Sequence, residues 1–178
     1  MAADPTLQAI ARDIYQRCHL NGEFTLRSGQ VSNEYFDKYL FETDPELLHR
    51  ICQGLVKKIP PETDLLAGLE MGGIPIVTQL SYLSGIPALF VRKTAKGYGT
   101  EKLAEGPAFA GRRLTIVEDV VSTGGQIILS TQDLRAAGAE VSNALCVIDR
   151  ESGGKGKLAA EGLALHSLLT MSDLKAAS

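Results

Sequence analysis

Residues 116–126 read "IVEDVVSTGGQ". An apolar run ends in two adjacent carboxylates, Glu118 and Asp119. Val120 and Val121 then lead into a small polar stretch with Gly124 and Gly125, where a helical pattern begins. A strand that is apolar nearly end to end is buried on both faces, as in a parallel sheet. Small residues after it let backbone N–H groups approach an anion, and the helix that opens there adds the positive end of its dipole. Carboxylates beside a phosphate cradle would repel the phosphate unless they touch something else, such as sugar hydroxyls or a metal-bound water. A ribose 5-phosphate satisfies both halves of the stretch.

The same rhythm extends outward. Strand patterns at 64–70, 86–93, 112–121 and 141–150 alternate with helical ones at 72–85 and 124–138. This predicts an α/β fold with an open, mostly parallel sheet and helices on both faces. Such sheets bind ligands beyond the carboxyl ends of their strands. Four strand ends deliver polar groups there: Glu70 with Gly72 and Gly73, Arg92 with Lys93, Glu118 with Asp119, and Asp149 with Arg150. Upstream, Asp4-Pro5 and Asp44-Pro45 each mark a helix start. The first helix is expected to stop at Asn21-Gly22 and the second at Pro60-Pro61. Two short strands, 23–26 and 34–41, are expected between them, joined around Ser28-Gly29. The segment 151–159, "ESGGKGKLA", lacks the Gly-Lys-Ser/Thr ending of a Walker A loop and reads as a solvated turn.

The whole chain limits the functions open to it. Its 178 residues fit one domain, 1–178, with N-terminal helices and hood strands over 1–62 and an α/β core over 63–178. A net charge of -3 offers no basic excess for a nucleic-acid backbone. No stretch reads as a signal peptide or membrane span. Cys18, Cys52 and Cys146 are odd in number, far apart and set among apolar residues, as expected of buried thiols in the reducing cytoplasm.

Residues 91–111, "VRKTAKGYGTEKLAEGPAFAG", are too long and polar for an ordinary connection and read as a mobile lid. Gly97, Gly99 and Gly106 would let it move, and Arg92, Lys93 and Lys96 set positive charge near its start, suited to a polyanion.

Together these stretches resemble the type I phosphoribosyltransferases, and among them the orotate phosphoribosyltransferase family. "VEDVVSTGGQ" resembles the signature for 5-phosphoribosyl 1-diphosphate (PRPP). "FTLRSGQVSNEYFDKY" resembles the N-terminal hood and "GLEMGGIPI" the pyrophosphate loop. "VRKTAKGYGT" resembles the catalytic loop and "VIDRESGG" the segment that brings an arginine to the base. The resemblance implies transfer of ribose 5-phosphate from PRPP to orotate, giving orotidine 5'-monophosphate and pyrophosphate in pyrimidine biosynthesis. It implies that Glu118 and Asp119 hold the ribose hydroxyls. Val120, Val121, Ser122, Thr123, Gly124, Gly125 and Gln126 would cradle the 5-phosphate. Arg92, Lys93 and Lys96 would bind pyrophosphate, with Lys93, Lys96 and Asp119 carrying catalysis. Arg27, Tyr35, Phe36, Ser122 and Arg150 would meet orotate. Mg2+ would be held by PRPP, pyrophosphate and water, with no direct protein ligand. A homodimer would share loop 92–110 between subunits.

The chain departs from the family pattern at three places. Arg27 stands where many members have Lys, Gly72 where some carry a pyrophosphate-binding Lys, and Tyr98 where many have a loop His. His19, His49 and His166 lie elsewhere and are expected at surface or packing positions. Two alternatives share the signature: a phosphoribosyltransferase for another base, and a PRPP-sensing regulator without catalysis. The cationic lid speaks against the regulator, and Arg150 with the hood motif against a base lacking a carboxylate.

Overall fold

The computed structural model describes residues 5–25, 29–93 and 103–178. Asp4, Arg27, Lys96 and Tyr98, and with them the lid glycines Gly97 and Gly99, lie outside the described residues.

Strands β3 (Leu65–Leu69), β4 (Ala88–Val91), β6 (Arg113–Val121), β7 (Glu140–Asp149) and β8 (Ala164–Thr170) run parallel. The two-residue β5 (Ala104–Glu105) joins antiparallel at the β4 edge, giving the order β5-β4-β3-β6-β7-β8. Helices α4 (Gly73–Ser84), α5 (Gly125–Ala136) and α6 (Gly154–Ala160) make connections between strands, and α7 (Met171–Ala176) follows β8. The N-terminal part contributes α1 (Pro5–Cys18), the hairpin β1 (His19–Thr25) and β2 (Val31–Phe36), the single turn α2 (Tyr39–Glu42) and α3 (Pro45–Val56).

Strand alternation divides the sheet's side chains between two apolar layers. Leu66, Val117, Leu145 and Val147 pack with Ile10, Ile14, Leu47, Ile51, Leu55, Ile76 and Leu80 of α1, α3 and α4. Ala67, Ile116, Ala144 and Cys146 face the other way, toward Ile127, Leu134 and Leu158 of α5 and α6. Each large side chain buried this way stabilises the fold by about 1.5–3 kcal/mol before entropy is counted. The N-terminal helices therefore complete one face of the sheet. Asp44 caps α3, its side chain accepting from Leu47 N at 2.7 Å, as the Asp-Pro start signal indicates.

Three local expectations are corrected. The first helix ends at Cys18, and β1 runs through Asn21-Gly22; those residues sit in an irregularity of the hairpin pairing instead of a stop. The strand expected over 34–41 ends at Phe36, and Tyr39–Glu42 is helical. Asp37 Oδ1 accepts from Tyr39 N at 3.1 Å, so the aspartate turns the chain locally while Phe41 inserts into the core. Residues 154–160 form α6 in place of a solvated turn, because Leu158 is fully buried beneath Gly124. Strands β5 and β8 and helix α7 were not anticipated; α7 begins with a capping box between Thr170 and Asp173.

Helix α4 lies close against the sheet because two glycines permit it. A Cβ at Gly73 would sit 2.4 Å from the Val117 carbonyl oxygen, and one at Gly68 would sit 2.4 Å from Val77 Cγ1. At Gly54 the first obstacle is instead a side-chain tip, Leu168 Cδ1 at 2.7 Å. Backbone cannot yield as a rotamer can, so Gly73→Ala should destabilise the protein by about 1–3 kcal/mol. Gly54→Ala should cost less, since gained helix propensity of about 1 kcal/mol offsets the repacking of Leu168. Urea denaturation of both variants checks the ranking.

Candidate active site

The carboxyl ends of β3, β4 and β6 open into a cleft of about 350 Å³ lined by Lys38, Tyr39, Glu70, Met71, Gly72, Lys93 and residues 118–127. Its floor is the turn from β6 into α5. Gly124 precedes that helix in the left-handed region, φ 74°, which an L side chain rarely adopts. No side chain caps α5, so its first N–H groups remain free to meet an anion. The stretch Val120 to Gln126 is thus gathered on one surface.

Asp119 stands at the inner wall, fully buried. Its Oδ1 accepts from Val120 N, and its Oδ2 accepts from Lys38 Nζ at 2.5 Å. Glu118 Oε1 accepts from Asp119 N at 3.0 Å. A third acid, Glu42, is 5% exposed, and its Oε1 has no hydrogen-bond partner among the described residues. Gly72 closes the group: a Cβ there would lie 1.5 Å from Asp119 Oδ2 and 3.0 Å from Glu42 Oε1. Three carboxyls crowded out of water disfavour three charges. Burial, and then the neighbouring Asp119, raise the carboxyl of Glu118 above the usual range, and the same two causes raise that of Glu42. Burial works against the charge of Lys38, but the hydrogen bond and charge of Asp119 outweigh it and hold the ammonium more tightly than in an ordinary lysine.

At the mouth, Lys93 N donates to Glu70 Oε1 at 2.6 Å, tying the end of β4 to the turn before α4. Arg92 points elsewhere. Its Nη2 lies 3.5 Å from Glu105 Oε1, at the foot of the long loop, and its N donates to Leu103 O at 2.9 Å. Of the expected pyrophosphate cations, Lys93 lines the cleft, Arg92 does not, and Lys96 lies outside the described residues.

A second cleft, also about 350 Å³, lies under the hairpin and is lined by Tyr15, His19, Ser32, Glu34, Tyr35, Phe36, Arg150, Met171 and Lys175. It brings together three of the expected base-contacting residues, Tyr35, Phe36 and Arg150. Arg150 N donates to Val121 O at 2.8 Å, which fastens this cleft to the end of β6 beside the first. The next residue, Glu151, takes φ 56° and accepts from Ser172 N and Oγ at 2.9 and 2.6 Å. Ser122 lines the first cleft, and Arg27 lies outside the described residues. His19 stacks on Tyr15, with ring centroids 4.7 Å apart, and bonds Glu34 at 2.8 Å. That bond pulls the Glu34 carboxyl below its usual range. His49 and His166 bond Gln79 and Asn143, away from both clefts.

Lys38 and Glu42 escaped the sequence reading. Read as strand, residues 34–41 carry no helical spacing. Read as helix, Lys38 and Glu42 are four apart and share a face, and that pairing after Asp37 was the available signal.

Among the described residues, no group of three His, Cys, Asp or Glu side chains could hold a metal ion. Glu70, Glu118 and Asp119 line the cleft, and both oxygens of Asp119 are already bonded, to Lys38 and to Val120 N. This acidic lining fits Mg2+ carried by substrate phosphates and water, the usual habit of that ion, and does not fit a protein cage.

The phosphoribosyl transferase domain model matches residues 45–161. An orotate phosphoribosyltransferase of Nocardioides sp. is 56% identical over 177 residues, covering 99% of this chain and 97% of the relative. One of Methanocella arvoryzae is 46% identical, covering 86% of this chain and 87% of its own. The crystal structure of Mycobacterium tuberculosis orotate phosphoribosyltransferase in complex with PRPP superposes with a TM-score of 0.81 at 26% identity, covering 96% of this chain and 99% of that one. With the acid pair, anion turn and parallel sheet in place, and a relative sharing more than half of its residues along nearly the full length, the chain belongs to the orotate phosphoribosyltransferase family.

Proposed function

We propose that this chain transfers ribose 5-phosphate from PRPP to orotate, giving orotidine 5'-monophosphate and pyrophosphate, with the two clefts as the two substrate sites. One observation carries this reading: the acid pair, with Asp119 buried, and the uncapped start of α5 share one cleft, and Arg150 joins it to the aromatic one. In this assignment the 5-phosphate lies on Val120 to Gln126, against the N–H groups of α5. Glu118 and Asp119 accept the ribose hydroxyls. Lys93, with Arg92 and Lys96 brought by loop closure, meets the diphosphate. Arg150 and Arg27 face the orotate carboxylate, Tyr35 and Phe36 form the wall of the ring, and Ser122 bridges the two substrates.

Displacement at the anomeric carbon builds positive charge on the ribose ring and negative charge on the departing pyrophosphate. Fixed cations aimed at the leaving group lower that barrier. Mg2+, held by the PRPP phosphates and water opposite these acids, would add charge neutralisation on the leaving group. A closed loop excludes water, which would otherwise compete as nucleophile. The placement of Arg92 beside Glu105, outside the cleft, accords with a loop cation that serves a neighbouring subunit in a homodimer. Three free, buried cysteines accord with a cytoplasmic enzyme, and no helix among the described residues is long and apolar enough to cross a membrane.

The direct test is loss of orotate absorbance on adding PRPP and Mg2+, with uracil and hypoxanthine as controls. Turnover should be confined to orotate. Arg150→Ala should lower kcat/KM for orotate by an amount corresponding to about 2–5 kcal/mol, the cost of stranding a buried charge. PRPP affinity, measured by calorimetry, should stay near wild type. The shared loop is checked by mixing a variant carrying Arg92→Ala and Lys96→Ala with one carrying Asp119→Asn. Each homodimer should be nearly inactive, and random exchange should restore about a quarter of wild-type activity if sites are independent. Background activity in mixed dimers confirmed by two tags would show that each subunit closes its own loop.

A further inference from the structure

Asp119 is not set in place by its own strand alone. β6 supplies one backbone donor, from Val120 to Oδ1, and Oδ2 takes its partner from elsewhere in the fold. Two groups from the N-terminal turn occupy its surroundings. Lys38, at the start of α2, donates to Oδ2, and Glu42, one helical turn later, places a buried carboxyl beside it. Both reach across from a segment about eighty positions earlier in sequence. Gly72 shows how tightly the position is enclosed, because any side chain there would strike both acids.

The groups facing Asp119 are unequal in charge. Glu118 comes from its own strand and Glu42 from α2, with Glu70 and Lys93 across the cleft and Tyr39 beside Lys38. Lys38 is the ion-pair partner found for Asp119 among the described residues, and it is half-buried. Without it, Asp119 would face Glu118 and Glu42 in a poorly solvated wall with no opposite charge beside it.

We propose that Lys38 and Glu42 are positioning residues for Asp119: Lys38 pairs with its carboxylate and holds it aimed at the ribose hydroxyls, and Glu42 closes the space behind it. This rests on the cleft being the PRPP site. The hood turn thereby sets the ribose-binding acid. The raised carboxyls of Glu42 and Glu118 and the strengthened ammonium of Lys38 agree with this division of charge.

Steady-state kinetics on the intact enzyme provide the test, with wild type as the control that the cleft uses PRPP and orotate. Lys38→Met should reduce kcat/KM for PRPP by about tenfold or more, as loss of a charge-assisted hydrogen bond does. KM for orotate should change by less than about twofold, and the acid limb of the PRPP profile should move to higher pH because a cation has left the cluster. Lys38→Arg should recover activity to within about threefold of wild type, since charge and donor are kept. Glu42→Gln, a neutral copy of the protonated acid, should stay within about threefold, while Glu42→Ala should lose about tenfold.

Stability gives a second readout for Glu42. Its folded-state pKa is raised, so the native protein holds a proton that the unfolded chain has released. Wild-type stability contributed by this proton is complete below the unfolded value and is lost as pH rises toward the folded one. The melting temperature of Glu42→Gln relative to wild type should therefore increase between about pH 5 and about pH 9. If Lys38→Met does not fold, the ammonium 15N signal of Lys38 in the wild type decides instead; it should shift when ribose 5-phosphate is added.

A Lys38→Met enzyme with the PRPP kinetics and acid limb of wild type would overturn the assignment of Lys38, as would an unshifted ammonium signal. Glu42→Gln as damaging as Glu42→Ala, or a melting difference that does not grow with pH, would overturn that of Glu42. Failure of wild type to consume orotate with PRPP would instead remove the reading of the cleft itself.

Discussion

A carboxylate with no exposed surface needs a partner, and for Asp119 that partner is the Lys38 ammonium at 2.5 Å. Removing one member of a fully buried ion pair generally costs about 3–5 kcal/mol, because the other is left charged and unpaired; here the half-buried Lys38 keeps part of its hydration, so the cost is smaller. The pair therefore does two jobs. It allows an acid to be buried at the end of a central parallel strand, and it holds the N-terminal turn down on the core. Phe41, buried three residues after Lys38, adds an apolar contact to the same docking. The hood hairpin is joined directly to this turn through Asp37, whose N donates to Cys18 O at 2.8 Å.

Close backbone approach is the second constraint on the site. α4 can settle on β3 and β6 only because positions 68 and 73 carry no Cβ, and Gly72 then fits against the acids. On the other face, Gly154 lies against the Ser122 carbonyl, where a Cβ would come within 2.5 Å, and Leu158 fills the space beneath Gly124. The turn from β6 into α5 is thus braced from behind by α6, a helix whose few residues include one fully buried leucine. Such support would serve the phosphate-binding role proposed for this turn, since little reorganisation would be left to occur on binding.

The division of charge in the clefts follows from where each element ends. Strands β3, β4, β6 and β7 finish on the same edge, so Glu70, Lys93, Asp119 and Arg150 are brought near one another from distant parts of the sequence. The acids of the first cleft gather around Lys38 on the inner wall, and Lys93 lies at the mouth. That arrangement suits a ligand whose hydroxyls meet the inner wall and whose diphosphate stays near the opening.

The sequence alone determined the parallel sheet, the acid pair at the end of β6, the turn of small residues into α5 and the strand ends that carry Lys93 and Arg150. These are local or periodic signals: apolar runs for doubly buried strands, small residues before a helix, and a charged residue at the point where a strand leaves the core. It also identified Tyr35 and Phe36 with Arg150, through the resemblance of their motifs, and the structure puts all three on one cleft. What only the tertiary structure decided are the contacts made between distant segments. Residues 37–41 read as the end of a strand, but Asp37 turns the chain and burial of Phe41 fixes a helical turn in its place. Segment 151–159 looks solvated because its lysines and glycines dominate, yet one buried Leu158 makes part of it a helix. Lys38 and Glu42 carry no motif of their own; their importance comes from the acid they meet across the fold, a long-range electrostatic pairing that no local pattern records.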